Sequence, residues 1–204
     1  MNTIYLTQVV LDPYAKEVRR ALEDRYALHR IAYSLKGEGQ EGRLLWRLEP
    51  VHSHRRPVLL VQTPHPPVLE HVLGRGLGNA ETRRIELRLS PGTYAFRLEA
   101  NAVRRRERRA RPLLDPEEQV EWLVERLAPM TLLSVIPVRT TAYIIRKPRG
   151  TKYPLHAVLF EGRLSVPEGA VPDAARKLRD GVGRARSMGM GMLSLKRVRS
   201  TIGS

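Results

Sequence analysis

The chain has 204 residues, enough for one substantial domain or for two small ones of roughly 90–110 residues each. Its 36 Lys and Arg side chains outnumber 21 Asp and Glu, and the formal charge of +15 makes nucleic acid or an anionic membrane surface the leading class of partner. An apolar fraction of 42% argues against wholesale disorder, and the complete lack of cysteine excludes disulfides and thiolate metal sites.

No membrane or export segment is predicted. No stretch approaches the ~18 uninterrupted apolar residues that a membrane-spanning helix needs. The N-terminus reaches Asp12 without the charged segment that opens a signal peptide, so a cytoplasmic protein is expected.

The first half begins with a strand, because Thr3–Leu11 is rich in β-branched and aromatic residues. Asp12 and Pro13 predict the start of a first helix, since Asp is a favoured cap and Pro is favoured at the first helical position. A second helix is predicted after Asp24. Its apolar residues recur at helical spacing, namely Leu28, Ile31, Ala32 and Leu35. Further strands are predicted over residues 43–49, 57–63 and 83–89, with a short helix over 68–72.

A turn at Ser90, Pro91 and Gly92 is the predicted domain boundary, which divides the chain into residues 1–91 and 92–204. In the second half, Asp115 is the predicted cap of a helix, and Val171 starts a shorter helix. Strands are predicted over residues 94–100, 142–145, 157–166 and 192–195. Each half therefore approximates β-α-β-β-α-β, which predicts an α+β fold of two tandem ferredoxin-like domains. That fold specifies no activity by itself.

The helix after Asp24 carries a second face that is not apolar. Tyr26, His29 and Tyr33 lie at i, i+3 and i+7, roughly opposite the apolar stripe. A histidine between two phenols can exchange protons near neutral pH, so His29 and Tyr26 are candidate catalytic residues. The alternative is an ordinary exposed histidine, flanked by tyrosines that keep their hydroxyls in water.

A glycine-rich segment near the C-terminus combines close backbone approach with positive charge. Its glycines are Gly181, Gly183, Gly189 and Gly191. Because glycine lets amide groups approach a phosphate closely, the segment is a candidate phosphate-binding loop, which Arg184 and Arg186 reinforce. It matches neither a P-loop nor a dinucleotide fingerprint. The alternative is a glycine-rich turn that joins a helix to the last strand.

Positive charge is concentrated in the second half, which holds 22 basic and 11 acidic residues against 14 and 10 in residues 1–91. One basic run spans residues 104–111. Another lies between two predicted strands and contains Arg146, Lys147, Arg149 and Lys152. Either run can follow a nucleic-acid backbone and release counterions, and the second can enter a groove as part of a β-ribbon. A solvated charged loop is the alternative for each, and a high arginine content can also reflect genome composition or adaptation to heat.

Four histidines, at positions 52, 54, 65 and 71, invite a metal-binding interpretation. No Asp or Cys accompanies them, and the chain contains neither an HExxH motif nor a pair of aspartates in a two-metal arrangement. Neither a metal site nor a cofactor is therefore predicted.

Seven segments occur in an order that is typical of one family. They are YLT (5–7), LDP (11–13), YALHR (26–30), LLWRLE (44–49), FRLEAN (96–101), VLFEGRL (158–164) and GVG…GMGMLSL (181–195). Together they resemble the CasE-type CRISPR RNA-processing endoribonucleases over nearly the whole chain, and the last segment is the most specific. Met188, Met190 and Met192 depart from the residues usual in that segment, whereas its glycines are intact. Residues 68–83 and the run 104–111 do not match closely.

The resemblance implies two ferredoxin-like domains and binding to the stem-loop of the CRISPR repeat, with metal-independent cleavage at its 3′ base. The 2′-hydroxyl would attack the adjacent phosphate and leave a 2′,3′-cyclic phosphate and a 5′-hydroxyl. His29 matches the family's catalytic histidine and Tyr26 the tyrosine beside it, and which of them makes which proton transfer is left open. Arg184 and Arg186 would hold the phosphate with the loop amides, and Arg163 would contact RNA. The implied partners are precursor CRISPR RNA and other subunits of the Cascade complex.

The leading hypothesis is therefore a repeat-processing endoribonuclease that stays bound to the hairpin after cutting. The alternative is a catalytically silent subunit on the same fold that holds an RNA hairpin, and the Tyr26 and His29 face distinguishes the two. A basic ribosome-associated structural protein is a third possibility, which needs only diffuse charge and not the glycine-rich segment.

Overall fold

The computed structural model of the protein describes residues 3–50, 56–106, 109–146, 150 and 152–198. These residues form ten strands: β1 (Thr3–Leu11), β2 (Leu45–Leu48), β3 (Val58–Thr63), β4 (Gly78–Glu86), β5 (Gly92–Ala100), β6 (Val103–Arg106), β7 (Arg109–Pro112), β8 (Thr131–Arg146), β9 (Lys152–Val166) and β10 (Leu193–Arg197). They also form five helices: α1 (Lys16–Glu23), α2 (Arg25–Ser34), α3 (Glu70–Leu73), α4 (Pro116–Leu127) and α5 (Val171–Asp180).

Two four-stranded antiparallel sheets organise the chain, one in each half. Their strand orders are β2-β3-β1-β4 and β10-β5-β9-β8. In both sheets the two central strands are the first and third of their half, and helices connect the first to the second strand and the third to the fourth. This order is the ferredoxin-like arrangement. The predicted α+β fold of two tandem ferredoxin-like domains is therefore confirmed.

Each half buries apolar helix faces against its own sheet. In the first half, Leu28 and Ile31 of α2 belong to a core that includes Trp46 of β2. In the second half, α4 contributes Trp122, whose ring centroid lies 6.4 Å from that of Phe160 in β9. Because Leu28 and Ile31 must face this core, the rotation of α2 about its axis is fixed, and so is the direction of its other face.

The helix starts follow the predicted caps only in part. Asp24 and Asp115 cap α2 and α4, since each carboxylate accepts a hydrogen bond from the amide two residues on. Asp12 does not cap α1, which begins at Lys16, because its carboxylate instead accepts from the amide of Tyr14 at 3.1 Å and forms a turn. Within the described ranges, no helix is both long and apolar enough to cross a membrane.

Two hairpins are longer than the predicted strands or were not predicted as strands. β8 and β9 pair along 16 and 15 residues, and Arg146 and Lys152, the first and last residues of the predicted basic loop, are their last paired positions. The basic run 104–111 contributes both strands of the separate β6–β7 hairpin, where only charge was expected. Arg104 holds this hairpin to α4 through ion pairs with Glu121 at 3.3 Å and Glu125 at 2.8 Å.

Polar side chains join the two halves. Arg47 of β2 donates to the carbonyl of Met192 at 3.0 Å, and Arg97 of β5 donates to the carboxylate of Glu49 at 2.6 Å. Apolar contacts add to these, because Tyr26 of α2 packs against a small core formed by Met188 and residues of β8 and β9. The glycine-rich segment of the second half is thereby held beside α2 and β2 of the first.

Candidate active site

Three rings lie along one side of α2. The ring centroids of Tyr26 and His29 are 5.5 Å apart, and those of His29 and Tyr33 are 4.2 Å apart. All three side chains are half-buried. The helical spacing thus produces the predicted arrangement of a histidine between two phenols.

One carbonyl oxygen holds the imidazole of His29. Nδ1 lies 2.7 Å from the carbonyl oxygen of Ser187, and because a carbonyl only accepts, Nδ1 carries a hydrogen in this contact. In the neutral ring, that tautomer leaves the lone pair of Nε2 free to accept a proton. Burial lowers the pKa of His29 from its ordinary value and outweighs the Ser187 hydrogen bond, which raises it. The neutral ring therefore predominates at neutral pH, with Nε2 as an available base.

The carbonyl of Ser187 is itself fixed by Trp46, whose indole Nε1 donates to it at 2.9 Å. Ser187 lies in a 3₁₀ turn, Arg186–Met188, which ends at Gly189 with a φ of 79°. A Cβ atom added to Gly189 would lie 2.6 Å from the Trp46 ring, closer than real contacts allow. Glycine at this position lets the segment approach the indole ring closely. The carbonyl of Ser187 can then contact both Nδ1 of His29 and Nε1 of Trp46.

Arg25, the first residue of α2, is buried beneath this site, and its side chain is 3% exposed. Its guanidinium donates to the carbonyls of Met188 at 2.9 Å and Gly189 at 3.2 Å. It also donates to the carboxylate of Glu99 in β5 at 2.9 Å. The ring centroid of Tyr143 lies 4.4 Å from the guanidinium carbon. Arg25 therefore connects α2, β5, β8 and the glycine-rich segment through a buried charge whose hydrogen bonds are satisfied.

A cavity of about 930 Å³, here called the loop cavity, opens beside the glycine-rich segment. Tyr33 and Ser187 line it, so it lies next to His29. Its basic side chains are Lys36, Arg43, Arg176, Arg184 and Arg186. Arg43 and Arg184 are exposed and form no ion pair with any described residue. The loop cavity therefore presents unneutralised positive charge, which attracts a phosphate.

Arg186 has a double role in the wall of the loop cavity. Its Nε donates to the carbonyl of Gly183 at 2.8 Å and its Nη1 to the carbonyl of Asp180 at 3.1 Å. Burial, followed by the neighbouring guanidinium of Arg43, lowers the pKa of Arg186, although a guanidinium keeps its charge in proteins. Arg186 thus fixes the backbone of the segment and adds charge to the cavity.

Two of the predicted phosphate-binding glycines have another role. Gly189 and Gly191 are buried, and their amides donate to the carbonyls of Arg186 at 3.1 Å and Glu99 at 2.6 Å. Both amides therefore already donate within the protein, and contact of Gly189 and Gly191 with RNA stays a prediction. Gly183 is half-buried and lines the loop cavity, so it stays a candidate.

The other predicted binding residues are not all brought to His29. Arg146 is exposed and lines a second cavity together with Tyr26. Lys152 lies opposite Arg146 in the register of the β8–β9 hairpin. Lys147 and Arg149 lie outside the described residues. Arg163 is exposed near the end of β9 away from Lys152, and it lines neither the loop cavity nor the cavity that contains Tyr26.

Sequence reasoning missed Arg25, and one signal for it was available. Arg25, Leu28, Ala32 and Leu35 follow helical spacing, so Arg25 continues the apolar stripe and must be buried with a partner. Lys36 and Arg43 of the loop cavity were also missed. No pattern distinguishes these two from solvated charges, because the chain brings them to the cavity only on folding.

Across the described ranges, no three His, Cys, Asp or Glu side chains converge to hold a metal ion. Of the four clustered histidines, His65 and His71 are described, whereas His52 and His54 lie outside the described residues.

The chain is similar to known proteins in both sequence and structure. A family model described as CRISPR associated protein matches residues 4–197. The chain is 36% identical over 216 residues to the CRISPR-associated endoribonuclease Cse3 of Thermus thermophilus, a match that covers 94% of this chain and 99% of the relative. A structure of Cse3 bound to a 19 nt RNA is similar with a TM-score of 0.86 at 34% identity, covering 95% of this chain and 99% of that one.

Two further structures are similar. Thermus thermophilus Cse3 bound to an RNA that represents a pre-cleavage complex has a TM-score of 0.85 at 34% identity, covering 95% of this chain and 99% of that chain. Cas6e from Escherichia coli str. K-12 has a TM-score of 0.71 at 23% identity over 95% of this chain and all of that one (100%), and supports the fold alone. With the match of the family model from the first strand to the last, this chain belongs to the family of CRISPR-associated proteins.

Proposed function

We propose that this protein is a metal-independent endoribonuclease that binds the stem-loop of the CRISPR repeat and cuts precursor CRISPR RNA at the 3′ base of the stem. Membership of the family supports the proposal, as does 36% identity to a relative that is named an endoribonuclease. The similarity to Cse3 structures that contain RNA supports an RNA substrate. After cutting, the protein stays bound to the hairpin and joins the other Cascade subunits in the cytoplasm.

The chemistry starts at Nε2 of His29. This nitrogen accepts the proton of the ribose 2′-hydroxyl, and the 2′-oxygen attacks the adjacent phosphorus. The bond from phosphorus to the 5′-oxygen then breaks, which leaves a 2′,3′-cyclic phosphate on one product and a 5′-hydroxyl on the other. Tyr26, one helical turn before His29, supplies the proton that the leaving 5′-oxygen takes up. Ser187 holds the tautomer throughout, because its carbonyl keeps the hydrogen on Nδ1.

Positive charge stabilises the phosphorane and holds the stem. Arg184, Arg186 and the segment at Gly183 provide it at the scissile phosphate, since they border the loop cavity beside Ser187. Gly189 and Gly191 shape this segment. Binding of the stem extends over the β8–β9 hairpin, with Arg146, Lys147, Arg149 and Lys152 along the RNA backbone, and reaches Arg163 at its far end.

The two halves divide this work. Residues 1–91 form the domain that carries the catalytic helix, and residues 92–204 form the domain that carries the basic hairpin and the glycine-rich segment. The turn before Gly92, where β5 begins, supports a border at this position.

The observation that carries the proposal is the bond between His29 and Ser187, because it prepares a neutral base beside a cationic cavity. The test is single-turnover cleavage of an RNA hairpin with the host's repeat sequence in EDTA, with mass analysis of the product end. Cutting with a 2′,3′-cyclic phosphate end is expected. Activity that returns only with Mg²⁺ or Mn²⁺ contradicts metal independence, and tight binding without any cutting identifies the silent RNA-binding subunit instead.

A further inference from the structure

The second phenol beside His29 has no role in the proposed mechanism. Tyr33 lies one turn after His29 on α2, and its ring centroid is 4.2 Å from that of the imidazole, whereas the centroid of Tyr26 is 5.5 Å away. The Tyr33 ring also packs against the core of the first half, which includes Leu28 and Ile31. The imidazole and this core therefore hold the phenol in a defined place on the helix face.

The two phenols have different surroundings. Tyr33 lines the loop cavity together with Arg184 and Arg186, where the proposed mechanism places the scissile phosphate. Tyr26 does not line this cavity and packs instead against the small core that contains Met188. Of the two phenols, Tyr33 is therefore the one on the phosphate side of His29.

The hydroxyl of Tyr33 is available to a ligand. A buried tyrosine hydroxyl usually has a hydrogen-bond partner, but this half-buried one forms no hydrogen bond with any described residue. Burial raises the pKa of Tyr33, and the nearby guanidinium of Arg43 lowers it by less, so the phenol keeps its proton at neutral pH. The loop cavity thus contains a neutral donor beside a cation, and this pair suits an anionic oxygen.

We propose that Tyr33 binds the scissile phosphate, with its hydroxyl donating a hydrogen bond to one of the two non-bridging oxygens and Arg43 balancing the charge of the same group. The inference rests on the proposed function. The bond strengthens as negative charge develops on this oxygen in the phosphorane, and it therefore accelerates cleavage. Tyr33 keeps its proton throughout, because the leaving 5′-oxygen takes its proton from Tyr26.

The first test compares Tyr33→Phe with the matched control Tyr14→Phe. Phenylalanine keeps the ring beside His29 and removes only the hydroxyl. Tyr14 is 83% exposed and lines neither the loop cavity nor the cavity that contains Tyr26. Single-turnover cleavage of a host-repeat hairpin in EDTA should slow roughly 10–100-fold in Tyr33→Phe, the loss expected for one hydrogen bond to a charged group. The control should cut at the unaltered rate.

Sulfur at the scissile phosphate identifies the atom that Tyr33 contacts. Each non-bridging oxygen is replaced in turn by sulfur, which accepts hydrogen bonds poorly, and this gives two diastereomeric RNAs. With one diastereomer the loss caused by Tyr33→Phe should largely disappear, because the bond is already weakened; with the other it should equal the loss measured with oxygen.

A third RNA separates phosphate binding from proton donation. It carries sulfur in place of the leaving 5′-oxygen, and this sulfur departs as a thiolate that needs no proton. The loss caused by Tyr33→Phe should persist with this RNA, because the non-bridging oxygens are unchanged.

Three results overturn the inference. They are cutting by Tyr33→Phe at the rate of the control, an equal loss with oxygen and with both diastereomers, and disappearance of the loss with the sulfur leaving group, which would make Tyr33 the acid. The proposed function has a separate failure. An unaltered protein that cuts no repeat hairpin in EDTA contradicts that function, whereas normal cutting by Tyr33→Phe contradicts only the role of Tyr33.

Discussion

Arg25→Met removes the cation that connects α2 to the glycine-rich segment. The change leaves the carboxylate of Glu99, 4% exposed, with the Tyr143 hydroxyl at 3.3 Å as its remaining described partner. Breaking a buried ion pair by removing one partner costs about 3–5 kcal/mol. Since whole domains have a free energy of unfolding of roughly 5–15 kcal/mol, the variant should lose a large part of its stability.

Urea unfolding measures that loss, and Arg88→Met is its control. Arg88 pairs with Glu86 at 2.6 Å, but its side chain is 86% exposed, so this variant should lose less than about 1 kcal/mol. A loss for Arg25→Met that is no larger than for Arg88→Met refutes the reasoning, because the buried charge would then carry no energetic weight.

A double variant, Arg25→Met with Glu99→Leu, separates stability from positioning. It removes both buried charges, and most of the stability should return. The carbonyls of Met188 and Gly189 still lack their donor, so the Ser187 carbonyl should lose its fixed position and single-turnover cleavage should stay at least ~10-fold slow. Cleavage by the double variant at the rate of the unaltered protein would show that Arg25 has no part in positioning the site.

Three further predictions concern the same site. Gly189→Ala should lower the free energy of unfolding in urea clearly more than Gly39→Ala does. Both glycines have a positive φ, so each new alanine is strained by about 1–2 kcal/mol. The added carbon at Gly39 has no atom within 4 Å, whereas the one at Gly189 overlaps the Trp46 ring. Replacing Arg43 and Arg184 with Gln should flatten the log–log salt slope of hairpin binding by about 1.5, at roughly 0.7–0.9 per lost contact, and an unchanged slope would place the phosphate contacts elsewhere. Because burial lowers the pKa of His29, the midpoint of the fall in cleavage rate with decreasing pH should lie below the ordinary value of about 6.5, and a midpoint at or above pH 6.5 contradicts the lowered pKa.

The elements that short-range patterns determine were predicted well. The apolar spacing of α2 is enough to fix which face is buried, and therefore that Tyr26 and His29 share the other face. The predicted cap at Asp115 is confirmed, because it depends only on a contact with the amide two residues on. Strand ends were less accurate, because a strand was predicted over residues 142–145, whereas the edge strand β8 runs over Thr131–Arg146 and passes Pro137 at a register shift.

The contacts that complete the site could not be predicted, because they join residues that are distant in sequence. The bond from His29 to Ser187 spans 158 positions, and the ion pair of Arg25 with Glu99 spans 74. The glycines were interpreted as contacts for a phosphate, but the Trp46 ring explains Gly189 better. Only the folded structure shows that the Trp46 ring leaves no room for a side chain at Gly189.

The central claim is that His29 transfers a proton during attack by a 2′-hydroxyl. The most direct measurement is single-turnover cleavage beside equilibrium binding, in EDTA, with His29→Ala and with a hairpin that carries a 2′-deoxy nucleotide 5′ of the scissile phosphate. His29→Ala should cut roughly 10²–10⁴-fold more slowly with nearly unchanged affinity, and the unaltered protein should leave the deoxy hairpin uncut. Cutting by His29→Ala at the unaltered rate contradicts the assignment of the base, and cutting of the deoxy hairpin contradicts the mechanism.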